Sequence, residues 1–279
     1  MKRHLGVAVG QMNSVDDIDA NFRQIMKLLD QITEHDEIDL VCFPENSLYM
    51  RVKEGEKIQG LDLEHEVFSK LKSEAKRRGL YLHLGSVAIR KAGGLTNASV
   101  LVTPLGQHSI TYEKIHLFDI DIEGHAPVRE SDVYQGGEAP KILEIEGWHL
   151  GQTICYDLRF SELFSWYAQH ATEALLVPSS FLVPTGKVHW HILLRARAIE
   201  SQAYVIAAAQ AGQHQSVKGS YVRETFGHSL VVDPWGQIIA EGAPESVQLL
   251  KVKLDIEKLQ AVRKQIPMAG HRRLVKMKK

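Results

Sequence analysis

The chain has 279 residues, a formal net charge of −1, 44% hydrophobic residues and 24% charged residues. That length and balance exclude a mainly disordered protein, and the near-zero charge gives no overall basis for binding nucleic acid or a membrane surface. Two cysteines, Cys42 and Cys155, are too few for a disulfide framework or a clustered zinc motif, so a reducing compartment is expected.

The N-terminus, MKRHLGVAVGQM, starts basic, but its apolar run is short and broken by Gly6, Gly10 and Gln11, so it does not read as a signal peptide. No apolar run reaches the length of a membrane-spanning helix, and a soluble, cytoplasmic protein is expected. Residues 5–9 read as a buried strand. Over 16–32 the apolar residues Ile18, Phe22, Ile25, Leu28, Leu29 and Ile32 follow helical spacing. Residues 40–43 form a short strand that Pro44 stops, with Glu45 just beyond. Residues 63–78 read as an amphipathic helix closed by Gly79. Strands at 81–89 and 98–102 flank the Gly93-Gly94 turn, and 108–112 is a further strand. The stretch 113–140 has no clear period. Such connections are functional or disordered, and its aromatic and apolar residues argue against disorder.

Strands at 142–145 and 149–154 pair around Gly147, and the second runs directly into Cys155. Helices follow at 161–170, 189–201 and 256–265, with strands at 174–177, 204–209, 229–232, 237–240 and 247–254. Strands alternate with helices, hairpins intervene, and no linker or repeat divides the chain. The expectation is one α/β domain with mixed sheets over residues 1–279. The basic end, 271–279, reads as a solvated tail or a subunit-contact arm.

Three polar residues stand at strand ends: Glu45, Lys114 and Cys155. In open α/β architectures such ends converge on one crevice. A strand ending in Cys155 and turning toward a helix has the layout of a nucleophile elbow. If the three meet, Cys155 is the nucleophile and needs a base. Glu45 accepts its proton, provided burial raises the carboxyl pKa. Lys114 favours both thiolate and oxyanion, the Tyr156 N–H supplies a second oxyanion donor, and Glu130 orients Lys114. Taken singly, each has an ordinary reading. Cys155 is then a small buried hydrophobe, Glu45 a solvated turn residue, Lys114 a surface charge, and Glu130 half of a local ion pair with Arg129.

The wider sequence sharpens this. VAVGQMNS, LVCFPEN around Glu45, YEKIHLFDIDI around Lys114 and RES at Glu130 come in order. GQTICYDLRFSELF around Cys155, PSSF, TGKVHWHILLRARAIESQAYVIAAAQ and FGHSLVVDPWG follow. Together they span almost the whole chain and closely resemble the nitrilase superfamily of carbon–nitrogen hydrolases, with most similarity to its deaminated glutathione amidases, relatives of the ω-amidases. The resemblance implies a four-layer αββα sandwich with two mixed β-sheets, commonly a homodimer. It implies Glu45, Lys114 and Cys155 as the catalytic triad and Glu130 as an additional glutamate. One departure is Ser161, where the family usually has proline; Ser is a good helix cap, so little effect on activity is expected.

The implied reaction is hydrolysis of a small-molecule amide through a thioester on Cys155, with ammonia as the leaving group and no metal or cofactor. The resemblance sets Thr185, His189 and Trp190, with Gly186, on a loop and helix start near the substrate. Tyr49, Phe118, Arg129, Tyr156, Arg159 and Phe181 are candidate pocket walls, with Arg129 and Arg159 able to meet substrate carboxylates. Trp190 reads equally well as core. His189 and His191, two apart on a helix, face different ways and do not suggest a shared metal. The rivals are an ω-amidase or nitrilase on the same scaffold, and a binding protein of this fold without turnover. A papain-like protease fits less well, since no His/Asn pair accompanies the cysteine.

Overall fold

The computed structural model describes residues 2–53, 55–121 and 127–273. The first half holds β1 (His4–Gln11), α1 (Ile18–Leu29), β2 (Leu40–Cys42), α2 (Glu66–Arg78), β3 (Tyr81–Lys91), β4 (Gly94–Val102) and β5 (His108–Glu113). Three two-residue strands follow: β6 (Asp119–Ile120), β7 (Val128–Arg129) and β8 (Tyr134–Gln135). Next come β9 (Ile142–Ile145), β10 (Trp148–Gln152), α3 (Ser161–Gln169), β11 (Ala174–Leu176), α4 (Val183–Ser201) and β12 (Tyr204–Ala207). The chain continues with β13 (Ala211–Gln215), β14 (Val222–Phe226), β15 (Leu230–Val232), β16 (Ile238–Glu241), β17 (Gln248–Asp255), α5 (Ile256–Gln265) and α6 (Met268–His271).

Two mixed sheets form the centre. One has the order β17-β1-β2-β3-β4-β5, with β8 on β4; the other has the order β16-β15-β12-β11-β10-β9. The strands β1, β2 and β3 run parallel, as do β10, β11 and β12, and their flanking strands are antiparallel. Period-2 alternation builds the layers. Leu5, Val7 and Val9 of β1 point at Leu150, Leu176 and Ile206 of the other sheet. Ala8 points the opposite way, into a cluster with Ile25 and Leu28 of α1 and Phe68 and Leu71 of α2. On the far side, Leu175 and Val205 pack against Phe164 of α3 and Leu194 of α4. The result is the four-layer αββα sandwich. No helix among the described residues is long and apolar enough to cross a membrane.

The sheets are also stitched by main chain just past β1 and β12. Met12 N donates to Ala209 O at 3.3 Å and Ala211 N to Met12 O at 2.8 Å. Several expected boundaries move. The first helix starts at Ile18, because the Asp17 carboxylate caps it by accepting from Ala20 N at 2.6 Å. Ser161 does not cap α3; it is the first helical residue, after Phe160, so its expected capping role does not hold. Helix α4 begins six residues earlier than expected. Pro184 in its first turn needs no N–H partner there, so Thr185 and Gly186 are helical rather than in a loop. The hairpin β13–β14 was not expected, because its strands are polar on alternate positions and short of apolar residues.

Candidate active site

Each functional side chain follows a strand end on the same side of the sandwich. Beyond β2, Phe43 N still bonds His83 O at 2.9 Å, and then Pro44 ends the ladder. Strand β3 bulges between Leu84 and Val87. There Ser86 takes over the turn: its N–H donates to Pro44 O at 3.3 Å, its hydroxyl accepts from Asn46 N at 3.1 Å, and its carbonyl accepts from Ser47 N at 3.2 Å. Gly85 is required at the bulge, since a Cβ would sit 2.1 Å from Phe43 O. Gln210 closes the other side by donating to Glu45 O at 2.8 Å.

Lys114 leaves β5 with its N–H on Asn97 O at 2.9 Å and its carbonyl accepting from Gly137 N at 2.8 Å. Cys155 lies beyond β10. The strand ends at Gln152, earlier than expected, and Cys155 opens a 3₁₀ turn, Cys155–Arg159. Its φ of +49° is left-handed, an uncommon conformation for a residue with a Cβ and a recurring one at functional sites. Two ties hold it there. Cys155 N donates to Pro178 O at 2.9 Å. The wholly buried Asp157 accepts from Ile154 N at 2.9 Å, Tyr112 OH at 2.7 Å and His116 N at 3.0 Å. Asp157 thus locks the elbow to the segment that carries Lys114. Sequence reasoning missed this positioning role; an aspartate two residues after the nucleophile gives no signal of its long-range partners.

The charged groups form one buried cluster. Lys114 Nζ lies 3.1 Å from Glu45 Oε1 and 2.8 Å from Glu130 Oε2, and only 1% of the lysine is exposed. Asn97 Nδ2 bridges the two glutamates, at 3.2 Å from Glu45 and 3.0 Å from Glu130. Phe118 N donates to Glu130 Oε2 at 2.6 Å. Burial works against the lysine charge, but Glu130 and Glu45 outweigh it and hold the Lys114 pKa well above its ordinary value. Burial, reinforced by the Glu45 charge, pushes the Cys155 thiol well up, against the pull of Lys114 and a hydrogen bond from the Ser180 backbone. The resting cysteine is therefore a neutral thiol beside a carboxylate, and needs a base rather than simple ionisation.

Glu45, Lys114, Glu130 and Cys155 line one open cavity. Tyr49 and Phe118 are among its walls. Tyr156, Arg159, Phe181 and Thr185 line a narrow extension that shares Cys155 and Phe118. Arg159 lies over the rings of Tyr156 and Phe181, at 5.8 and 5.4 Å from their centroids. Its Nη1 donates to His189 Nδ1 at 3.1 Å, which makes that nitrogen the acceptor. His189 therefore steadies Arg159 rather than lining the cavity. Two other expectations are corrected. Trp190 is wholly buried, packs on Phe181 at 4.9 Å and donates its indole N–H to His228 O, so it is core supporting a wall. Arg129 turns to Asp121, at 2.7 and 2.9 Å, and to the carbonyls of Ile120 and Val128, half-exposed and away from the cavity. Residues 122–126, within the long connection expected over 113–140, and 274–279 of the basic tail lie outside the described residues. The sequence reading missed Arg51, Arg223, Tyr134 and Ser180 in the wall, and the bridging Asn97.

The family model described as carbon–nitrogen hydrolase matches residues 6–264. A deaminated glutathione amidase of Yersinia enterocolitica is 37% identical, covering 98% of this chain and 94% of its own. One of Bos taurus is 36% identical, covering 96% of this chain and 81% of its own. Among solved structures, Nit3 of Saccharomyces cerevisiae, a member of the nitrilase superfamily, superposes with a TM-score of 0.81 at 26% identity, covering 100% of this chain and 98% of that one.

Proposed function

The chain belongs to the carbon–nitrogen hydrolase family of the nitrilase superfamily, and we propose that it is a thiol amidase acting on deaminated glutathione. One observation carries the reading: Cys155, on a left-handed elbow, shares one cavity with the buried Glu45–Lys114–Glu130 cluster. Glu45 takes the thiol proton as sulfur attacks the amide carbon. The oxyanion is held by Lys114 Nζ and the Tyr156 N–H. Glu45 then gives the proton to the departing nitrogen as the C–N bond breaks, leaving a thioester on Cys155. Water enters, Glu45 removes its proton, and the second tetrahedral intermediate collapses to the free acid and the thiol. Glu130 holds Lys114 in place and exchanges no proton.

The substrate changes one detail of the expected chemistry. The amide nitrogen of deaminated glutathione carries a peptide, so the leaving group is an amine-terminated dipeptide; ammonia leaves only from a primary amide. Support for an anionic substrate comes from Arg159 beside Cys155 and from Arg51 and Arg223 at the cavity wall. The test is a panel of deaminated glutathione, α-ketoglutaramate and a simple nitrile, each with wild type and Cys155→Ala. Preference for the first, abolished in the variant, is expected. Preference for α-ketoglutaramate would make the protein an ω-amidase, and no turnover of any amide would leave only a binding protein.

We read residues 1–279 as a single hydrolase domain working in the cytoplasm, where its free thiols stay reduced. We also assign it a homodimer through α4. Val188, Ile192 and Ile199 are exposed along one face of that helix, and Ile199 lies against the turn at Gly236, next in sequence to exposed Trp235. Ile192→Asp is expected to shift wild-type dimer to monomer in sedimentation velocity; an unchanged mass would reject this face.

A further inference from the structure

Helix α4 sends its two neighbouring histidines to different places. His189 serves Arg159, whereas His191 reaches across to strand β16. His191 Nε2 lies 2.8 Å from Glu241 Oε1, and the same oxygen lies 2.8 Å from His228 Nδ1. The three donor atoms are all within 4.8 Å of one another. Two imidazoles thus converge on one carboxylate oxygen, each presenting a nitrogen that a metal could take in place of a proton.

The rings are held in that arrangement. His228 has a left-handed backbone, φ +55°, and its carbonyl accepts the Trp190 indole N–H at 2.8 Å. Phe226 lies against the His228 ring at 4.5 Å and meets His191 edge-on at 6.0 Å. Glu241 is exposed at the surface between them, with one carboxylate oxygen facing both rings. None of the three lines the cavity around Cys155.

We propose that His191, His228 and Glu241 form a divalent transition-metal site, best suited to zinc, separate from the catalytic cavity. Two imidazole nitrogens and one carboxylate oxygen are a recognised zinc donor set, with bonds of about 2.0–2.2 Å and a fourth position left for water. Small ring and carboxylate shifts open the present 2.8 Å contacts to admit the ion. The ligands come from α4, the β14–β15 connection and β16, so the ion clips three elements together. It stands behind a wall of the active site, since Phe226 N donates to Phe181 O at 2.9 Å. Its role is structural, and no step at Cys155 passes through it. This departs from the sequence expectation of no metal, which weighed only His189 with His191.

Tag-free, metal-stripped protein carrying Cys155→Ala, which removes the thiol as a competing ligand, is titrated with Zn²⁺ by calorimetry and with Co²⁺ by absorption. One equivalent is expected to bind, with a tetrahedral cobalt spectrum and a zinc-dependent rise in Tm. His191→Ala and Glu241→Gln, each added to that background, should weaken binding roughly 10- to 100-fold or more and abolish the rise. His228→Asn tests the third ligand without disturbing a left-handed backbone. Circular dichroism of each variant separates loss of ligand from loss of fold. Absence of binding at micromolar zinc, or binding unchanged by His191→Ala and Glu241→Gln, overturns the site. Because the Cys155→Ala background has no nucleophile, neither outcome bears on the amidase reading.

Discussion

Cys42 and Cys155 both stand at or just beyond a strand end, both are buried, and burial raises the pKa of both thiols. Their surroundings differ. Cys42 closes β2 inside a regular ladder, with Val9 on one side and His83 on the other, and its side chain joins the apolar layer between the sheets. Burial alone perturbs it. Cys155 has left the ladder for a strained elbow, where Glu45, Lys114 and a cavity meet it. Burial silences a thiol in the first place and holds it in reserve in the second. In the proposed mechanism, what separates an inert cysteine from a nucleophile is the base beside it, not exposure.

The sharpest way to break that contrast is to exchange the two thiols for methyl groups. Cys155→Ala is expected to lower kcat by roughly 10⁴-fold or more, whereas Cys42→Ala should leave kcat unchanged. The core variant should instead lose stability, on the order of 1 kcal/mol, read from urea midpoints. Next in size is Glu45→Gln. The raised thiol pKa makes the carboxylate the means of reaching the thiolate in turnover, so kcat is expected to fall roughly 10²- to 10⁴-fold, whereas alkylation of Cys155 at neutral pH should not slow, because the Glu45 charge that helps to hold the thiol neutral is gone. Equal alkylation of Cys42 and Cys155 in native protein would erase the distinction. Lys114→Met attacks the electrostatic half of the elbow. It strands the buried Glu45 and the partly buried Glu130, and breaking a buried pair costs about 3–5 kcal/mol. A stability loss well below that would mean that water or Asn97 satisfies Glu45 and Glu130 without the lysine.

The same contrast explains what could be read in advance. Many strand and helix identities followed from periodicity, and α5 was bounded without error at Ile256–Gln265. Glu45, Lys114 and Cys155 were legible because strand ends on one side of an α/β sandwich converge, and because ordered motifs surround all three. Asp157, Asn97 and Ser86 were not legible. Each acts through hydrogen bonds to residues 40 or so positions away, such as Asp157 with Tyr112 and Ser86 with Asn46, and nothing in local patterning encodes such a partner. Arg129 misled for the complementary reason. A cation beside Glu130 in sequence points away from it in space, because successive residues in an extended segment face opposite sides. The metal ligands escaped because one histidine lies on a helix, another in a turn, and the glutamate on an edge strand.

The smallest expected effect concerns the quiet side of the comparison. His83, the ladder neighbour of Cys42, is wholly buried, and burial lowers its pKa to about 4, with Gln152 only partly opposing. His214 is likewise lowered to about 4 by burial, against a hydrogen bond to the Ser14 carbonyl. Near the ordinary histidine value of 6.5 the unfolded chain takes up protons that the folded rings refuse. The contribution of these histidines is therefore complete above that pH and is lost progressively as pH falls toward 4. One pH unit below the unfolded value, the loss is on the order of 1 kcal/mol per histidine. His83→Leu removes one of the two terms, so the difference between its urea midpoint and that of wild type should change between pH 7 and about 5.5 in favour of the variant. Carboxylate titrations common to both proteins cancel in that difference. A pH-independent difference would mean that the His83 ring takes up its proton in the folded protein as readily as in the unfolded chain, and the layer around Cys42 would then be far more polar than its apolar neighbours indicate.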